Sequence, residues 1–322
     1  MIIRQDAFGG NVPMLKGALH CHTTRSDGKC TPEEVLQLHK EHNYDFVAIT
    51  DHRRYNRQHF APETGITIIP GMEFDSAIEY GHGFRCFHTV CIGPNDETNP
   101  YEQDQRFQSG RTPTQEEYQP YLDQLHKDAQ MTIHCHPEWS GTPARYFEKL
   151  KGNFAMEIWN TGCAIEDNMD TNAACWDELL DQFIKIYGVA TDDGHQPYQH
   201  CGGWVMVNAE NNVPAILDAL KNGRFYSSCG PKIYDFYIED DVAHIVTDPC
   251  AMIQFVSACH PLRVTRSKDG SLTHAELKID RGFRYLRATI VDAQGRRAWT
   301  NPIFLRPHYD YTEEEKQKAL GR

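Results

Sequence analysis

Histidines and carboxylates gather at the ends of apolar runs along this chain. His20 and His22 close MLKGALHCH, Asp51 and His52 follow FVAIT, and Glu73 sits near the end of ITIIPGMEF. His88 opens HTVCIG, His134 and His136 close MTIHCH, and Asp193 and His195 follow GVAT. Asp27 lies in the loop just after the first run. Imidazole nitrogens and carboxylate oxygens are the donors that manganese, iron and zinc take in mixed sites. In an extended strand, residues two apart share a face, so His20 with His22, and His134 with His136, would each present two rings to one place. Taken singly, each residue has an ordinary reading: a lone histidine by a strand is more often hydrogen-bonded in the core or at the surface, and Asp27-Gly28 suits a turn. Their joint occurrence at five strand ends points to a polynuclear metal centre.

Such residues converge only if the strands bearing them lie side by side. With 322 residues and 40% hydrophobic content, the chain can bury a full core. Its formal charge of −13 argues against a broad surface for nucleic acid or an anionic membrane, leaving room for a local cationic site. The start MIIRQDAFGG lacks the apolar core of a signal peptide, and no apolar run approaches a membrane span. The 11 cysteines are odd in number, scattered and without a C-x-x-C pair, which reads as buried thiols in a reducing, cytoplasmic compartment.

Over the first two thirds, apolar runs alternate with helical patterns, predicting a parallel α/β sheet, open or closed into a barrel. TPEEVLQLHKEHN carries Thr31 as N-cap and Pro32 in the first turn. EEYQPYLDQLHKDA, TPARYFEKL, TNAACWDELLDQF and NVPAILDALKNG are further helix candidates, the last closed by Gly223. After about residue 230 the pattern becomes short strands with turn signals: KIYDFYIED, MIQFVSA, LRVTR, AELKI, YLRATIVDA and AWTNPIFL. The polar stretch 93–114 is long for an ordinary connection, as a lid, a binding loop or a disordered insert would be. Boundaries follow at 1–229 for the α/β part, 230–308 for a small antiparallel β-domain and 309–322 for a charged tail.

In order, LHCHTTRSDG, AITDH, PGMEF, HTVCIG, HCHPEW and ATDDGH resemble the successive motifs of the PHP (polymerase and histidinol phosphatase) superfamily of metal-dependent hydrolases. RATIVDAQGRRAWTNPIFL is similar to the tail of members with an appended β-domain, a branch that includes carbaryl-hydrolase-like proteins as well as phosphoesterases. The resemblance implies a distorted seven-stranded β/α, TIM-like barrel holding two or three divalent ions of manganese, iron or zinc. It implies His20, His22, Glu73 and Asp193 around one ion, Glu73 bridging to a second held by His88 and His136, and Asp27, His52 and His195 around a third. Asp193 is preferred to Asp192 because it stands two before His195, and His136 to His134 because it precedes Pro137. His88 is preferred to His82, which reads as a turn residue between glycines. His134 then joins Glu73 and Asp193 in the catalytic set, orienting a ligand or donating a proton.

The resemblance and the cation chemistry together imply hydrolysis of a small anionic substrate, a phosphoester, by metal-activated hydroxide. Arg53 and Arg54, just past His52, are placed to hold a phosphate by forked hydrogen bonds, with solvated surface arginines as the alternative. Asn160 opens a loop in reach of the pocket, and Glu157 before it would either orient a ligand or be paired within the core. Two alternatives stand beside the phosphoesterase: an amide, carbamate or carboxylic-ester hydrolase on the same cluster, and a non-catalytic PHP module.

Overall fold

At Thr31 the capping box forms as the sequence predicts. Thr31 Oγ1 accepts from the Glu34 N–H at 3.2 Å, and Glu34 Oε2 accepts from the Thr31 N–H at 2.7 Å. Helix Pro32–Glu41 follows, burying Val35, Leu36 and His39. The computed structural model describes residues 5–9, 12–76, 85–110, 114–280, 282–305 and 311–321. Helices Gln115–Lys127, Ala173–Asp181 and Val213–Lys221 stand where periodicity puts them. Segment TPARYFEKL makes only the single tight turn Ala144–Tyr146. A stretch this short has too few internal hydrogen bonds to hold a helix by propensity, and core packing of Phe147 and Leu150 fixes it in another shape. A short helix, Thr161–Glu166, forms instead in a segment read as loop, nucleated by Asn160 Oδ1, which accepts from the Cys163 N–H at 3.0 Å.

Five strands, Gly71–Asp75, His88–Ile92, Met131–His134, Asn153–Asn160 and Tyr187–Thr191, form one sheet in that order. The run ITIIPGMEF is two strands, Thr67–Ile68 and Gly71–Asp75, because Pro70 between them has no N–H to donate to a ladder. Parallel pairing holds among the last three strands of the five-stranded sheet, and between Met14–Ala18, Phe46–Val47 and Thr67–Ile68. It fails at His88–Ile92, which runs antiparallel to both neighbours. That strand follows Gly71–Asp75 with no helical crossover among the described residues, and a parallel return needs one.

At the histidine-bearing ends, backbone hydrogen bonds join the two sheets. Asp193 N–H donates to His20 O at 3.0 Å and His22 N–H to Gly194 O at 3.1 Å, while Glu73 N–H donates to Thr50 O at 3.0 Å and Arg53 N–H to Glu73 O at 2.7 Å. Leu19, Phe46, Val90, Ile133, Val189 and Val205 are fully buried in one cluster beneath them.

Between Ile233 and Phe304 the described residues form strands and no helix, so the protein is mixed α/β with a C-terminal β region. Strand Val242–Cys250 was not among those read from sequence, since Asp248 and Pro249 break its pattern, yet Ala243 and Ile245 alternate inward and a bulge absorbs the irregularity after Val246. Hydrogen bonding runs through the expected boundary at 229/230: Tyr226–Ser228 pairs with Ala298–Thr300, and that strand pairs with Tyr285–Val291. The N-terminal pair Gln5–Asp6 joins the C-terminal strand Ile233–Glu239. The tail forms helix Glu313–Ala319 with a capping box at Thr312. Among the described residues, no helix is long and apolar enough to cross a membrane.

A buried ion pair locks the C-terminal sheet to helix Ala173–Asp181. Arg287 donates through Nε to Asp177 Oδ1 at 2.8 Å and through Nη2 to Oδ2 at 2.5 Å, and Tyr285 Oη donates to Oδ1 at 2.8 Å. Removing one partner strands the other charge without water. Asp177→Ala should therefore lower the unfolding free energy by about 3–5 kcal/mol, read as a fall in the urea midpoint.

Candidate metal centre

Glu73 is the hub. Its strand buries it to 1% exposure, and imidazoles from four other segments surround its carboxylate. Oε2 lies 3.0 Å from His52 Nδ1, 3.3 Å from His22 Nε2 and 3.5 Å from His20 Nε2. Oε1 lies 2.9 Å from His88 Nδ1 and 3.5 Å from His136 Nε2. Asp193 stands opposite, with Oδ1 3.3 Å from His20 Nε2 and 3.1 Å from His22 Nε2. Donor atoms of His20, His22, Glu73 and Asp193 all fall within 4.8 Å of one another, as do those of His22, Asp27, His52 and His195, and those of His52, Glu73 and His88. All nine residues expected as ligands thus meet at one end of the sheets.

Buried groups outside this ring aim the donors. Glu157 Oε1 accepts from His20 Nδ1 at 2.6 Å and its Oε2 from the His136 backbone N–H at 2.8 Å, so the other face of His20 points inward. Ser140 lies 2.9 Å from His136 Nδ1 and Ser26 3.3 Å from His22 Nδ1. Asp51 is turned away from the cluster. It accepts from the Thr23 N–H at 2.8 Å and from Ser26 Oγ at 2.8 Å, bracing the loop that carries Asp27. In that loop Gly28 is required, because a Cβ there would meet the His22 carbonyl at 2.6 Å. Positive φ at three non-glycine positions, Arg53 (52), His136 (28) and Asp193 (50), marks backbone held in a costly conformation where donors are redirected.

Three buried atoms, His52 Nδ1, Glu73 Oε2 and Asp193 Oδ1, make no well-formed hydrogen bond although polar atoms crowd them, His52 Nδ1 and Glu73 Oε2 at 3.0 Å from each other and Asp193 Oδ1 at 3.1 Å from His22 Nε2. Unpartnered buried polar atoms are costly, and here they are the donors that transition ions accept, so the residues fit a divalent centre. Burial alone would push His52 and His88 down, but the Glu73 carboxylate outweighs it and holds them at about 11 and about 10. Burial would likewise raise Glu73, and the surrounding imidazoles, His52 first, keep it well below the usual carboxylate range. Protons on the imidazoles balance the carboxylates where cations would otherwise do so.

Four residues expected at the site do other work. His134 is not brought to the cluster: its Nε2 lies 3.0 Å from Thr142 Oγ1 and its ring stacks on Phe147 at 4.1 Å. The strand ends at His134, and the left-handed turn at His136 breaks the alternation that would have put both rings on one face. Arg53 pairs with Asp75, and Arg54 donates through Nε to Asp104 Oδ1 at 2.9 Å, so both forks are engaged within the protein and neither lines the cavity. Asn160 Nδ2 donates to Glu157 Oε2 at 2.9 Å and Asp193 Oδ2 at 3.1 Å, which commits it to positioning those carboxylates. His82 lies outside the described residues.

The stretch 93–110 is pinned down: Arg57 donates to the carbonyls of Asp96 at 3.1 Å and Tyr101 at 2.9 Å, and Tyr101 is buried. None of it lines the cavity. The sequence reading missed Asp75, whose Oδ2 lies 3.0 Å from His52 Nδ1, although its place two residues after Glu73 puts it on the same strand face. It also missed Cys135, whose sulfur lies within 4.8 Å of donor atoms of Glu73 and His136. Burial, with Glu157 nearby, pushes that thiol up, keeping it neutral.

A ring of imidazoles around a central buried carboxylate, at one end of a mixed α/β body, defines a protein built on a metal-type centre. The PHP domain family model matches residues 18–189, and the chain belongs to that family. It is similar in structure to a two-domain protein from Bacteroides vulgatus containing a predicted PHP-like metal-dependent phosphoesterase, at 15% identity over 91% of this chain and 96% of that one, with TM-score 0.47. An amidohydrolase from Chromobacterium violaceum with bound sulfate and no metal matches at 16% identity over 65% and 96%, TM-score 0.41. A protein from Bifidobacterium adolescentis described as a metal-dependent phosphoesterase matches at 13% identity over 57% and 89%, TM-score 0.39. No curated protein matches the chain.

Glu157→Gln should weaken metal binding about 10–100-fold through loss of ligand orientation, whereas His134→Gln should leave it nearly unchanged, both read by competition with a chromogenic chelator. Because a cation must displace the protons held on His52 and His88, its apparent affinity should keep rising with pH through neutrality toward about pH 10. Calorimetry in buffers of different ionisation enthalpy should show net proton release.

Proposed function

We propose that the protein is a metal-dependent hydrolase acting on an ester of a small molecule, a phosphoester first. The observation that supports this most is the convergence of unpartnered buried His52 Nδ1, Glu73 Oε2 and Asp193 Oδ1 at the floor of an open cavity of about 390 Å³. In this reading two or three divalent ions of manganese, iron or zinc are held by His20, His22, Glu73 and Asp193, by Glu73, His88 and His136, and by Asp27, His52 and His195. The ions would supply Lewis acidity, lowering the pKa of a water and neutralising charge on an ester. Glu73 would bridge two positions, Glu157 and Ser26 keep His20 and His22 aimed, and Asn160 holds Asp193 in place.

The proposal extends to the scaffold, read as a distorted seven-stranded β/α barrel of PHP type. Its strands would be Met14–Ala18, Phe46–Val47, Gly71–Asp75, His88–Ile92, Met131–His134, Asn153–Asn160 and Tyr187–Thr191, closed by the bonds of Glu73 to Thr50 and Asp193 to His20.

One observation favours a second reading, a carboxylic-ester, amide or carbamate hydrolase: no arginine or lysine is among the described residues lining the cavity. Hydroxide attack at carbon needs the same floor and no phosphate clamp. A non-catalytic module has less support, since all nine donor positions are filled and oriented.

Metal analysis after reconstitution with manganese, iron or zinc, followed by assay against aryl phosphates, phosphodiesters and aryl carboxylic esters, tests the proposal. At least two ions per chain and turnover of the phosphates are expected, with Glu73→Ala losing more than one ion. Less than one ion per chain after reconstitution would overturn it, and turnover confined to carboxylic esters would favour the second reading.

A further inference from the structure

Above the metal-type floor, the cavity mouth has a chemistry of its own. Glu166 and Asp167 stand at the end of helix Thr161–Glu166, both exposed, and Asp27 is half-exposed across the donor cluster. Two aromatic side chains share the lining, Trp139 and Tyr198. The Trp139 ring is set edge-on against His136 at 5.0 Å and against His88 at 5.6 Å, so it is fixed beside the donors. Tyr198 is 62% exposed and yet tied, its hydroxyl donating to Glu166 Oε1 at 2.6 Å. Gln199 Nε2 donates to the same oxygen at 3.0 Å, while Gln199 Oε1 accepts from the His195 N–H at 2.8 Å. The mouth is therefore mechanically joined to a donor of the centre below.

From this arrangement we infer that the mouth selects a substrate whose non-reacting part is cationic or uncharged with an aromatic or apolar face, and rejects one carrying a second anionic group. The inference rests on the hydrolase reading for which end of the substrate goes to the floor. Carboxylates beside fixed aromatic faces are the combination that holds ammonium groups, the rings through their negative faces and the carboxylates through charge. A carboxylate or second phosphate beside Glu166 and Asp167 would meet like charge with no arginine or lysine among the described lining residues to offset it. The nearest arginines are already engaged, Arg53 by Asp75 and Arg25 and Arg54 by Asp104. The floor supplies the independent sign of a ligand, since Glu73 Oε2 and Asp193 Oδ1 are buried, unpartnered and aimed into this cavity.

The test uses the full manganese-loaded chain and three phosphonates: phenylphosphonate and its para-aminomethyl and para-carboxymethyl derivatives, titrated by calorimetry at low salt. The ammonium compound should bind about tenfold or more tighter than the carboxylate, with the parent between them, and the gap should narrow with added salt. Glu166→Gln/Asp167→Asn, at exposed positions, should keep the metal content and close most of the gap. Equal affinities, tighter binding of the carboxylate, or no binding of any of the three overturns the inference. A gap that survives in the double variant overturns its assignment to this mouth. Turnover of the matching aryl phosphates tells the failures apart: an ammonium preference in binding without turnover sinks the phosphoester reading alone, and turnover without charge preference sinks the mouth proposal alone.

Discussion

A carboxylate buried to 1% exposure cannot stay ionised without nearby positive charge, and Glu73 is ringed by imidazoles from the first, second, fourth and fifth motif segments. That electrostatic requirement ties together chain segments far apart in sequence. Each strand end must deliver a donor to the same few ångströms, and a misplaced ring would leave the carboxylate uncompensated. The metal-type centre is thus a structural constraint on the α/β body as well as its chemical site.

Meeting the constraint takes more than the donors. Glu157, Ser140, Ser26 and Asn160 occupy the outward-facing atoms of His20, His136, His22 and Asp193, leaving the inward atoms for a cation. The backbone contributes as well, through left-handed turns at His136 and Asp193 that swing side chains toward the cluster at positions where most residues avoid positive φ. Such strain is tolerated because the sheets on either side are densely packed around Leu19, Val90 and Val189.

Elements without donors act as supports. The 93–110 stretch is fastened by Arg57, and through Asp104 it engages Arg25, in the loop before Asp27, and Arg54, just past His52. The C-terminal β region continues the same sheet across residue 229 and is locked by Asp177 and Arg287, so it backs the body as one hydrogen-bonded continuation. Charge is distributed accordingly: cations are spent in internal pairs on one flank, and the cavity mouth is left acidic and aromatic.

Donor identity was legible in the sequence. Histidine and carboxylate at successive strand ends are local facts, and strand periodicity with cap residues such as Thr31 fixes roughly where each element starts and stops. The strand-end histidines and carboxylates, most helices and the change to β structure near residue 230 follow from that local information, and the resemblance to the PHP family narrows the donors to nine. What sequence could not carry was direction and partnership. Whether His134 or His136 faces the centre depends on the backbone turn after the strand ends, whether Arg53 is free depends on Asp75 folding back beside it, and His88–Ile92 runs antiparallel because of how the chain returns. These are settled only when distant segments pack, because burial makes each polar group's position depend on the charges that arrive beside it.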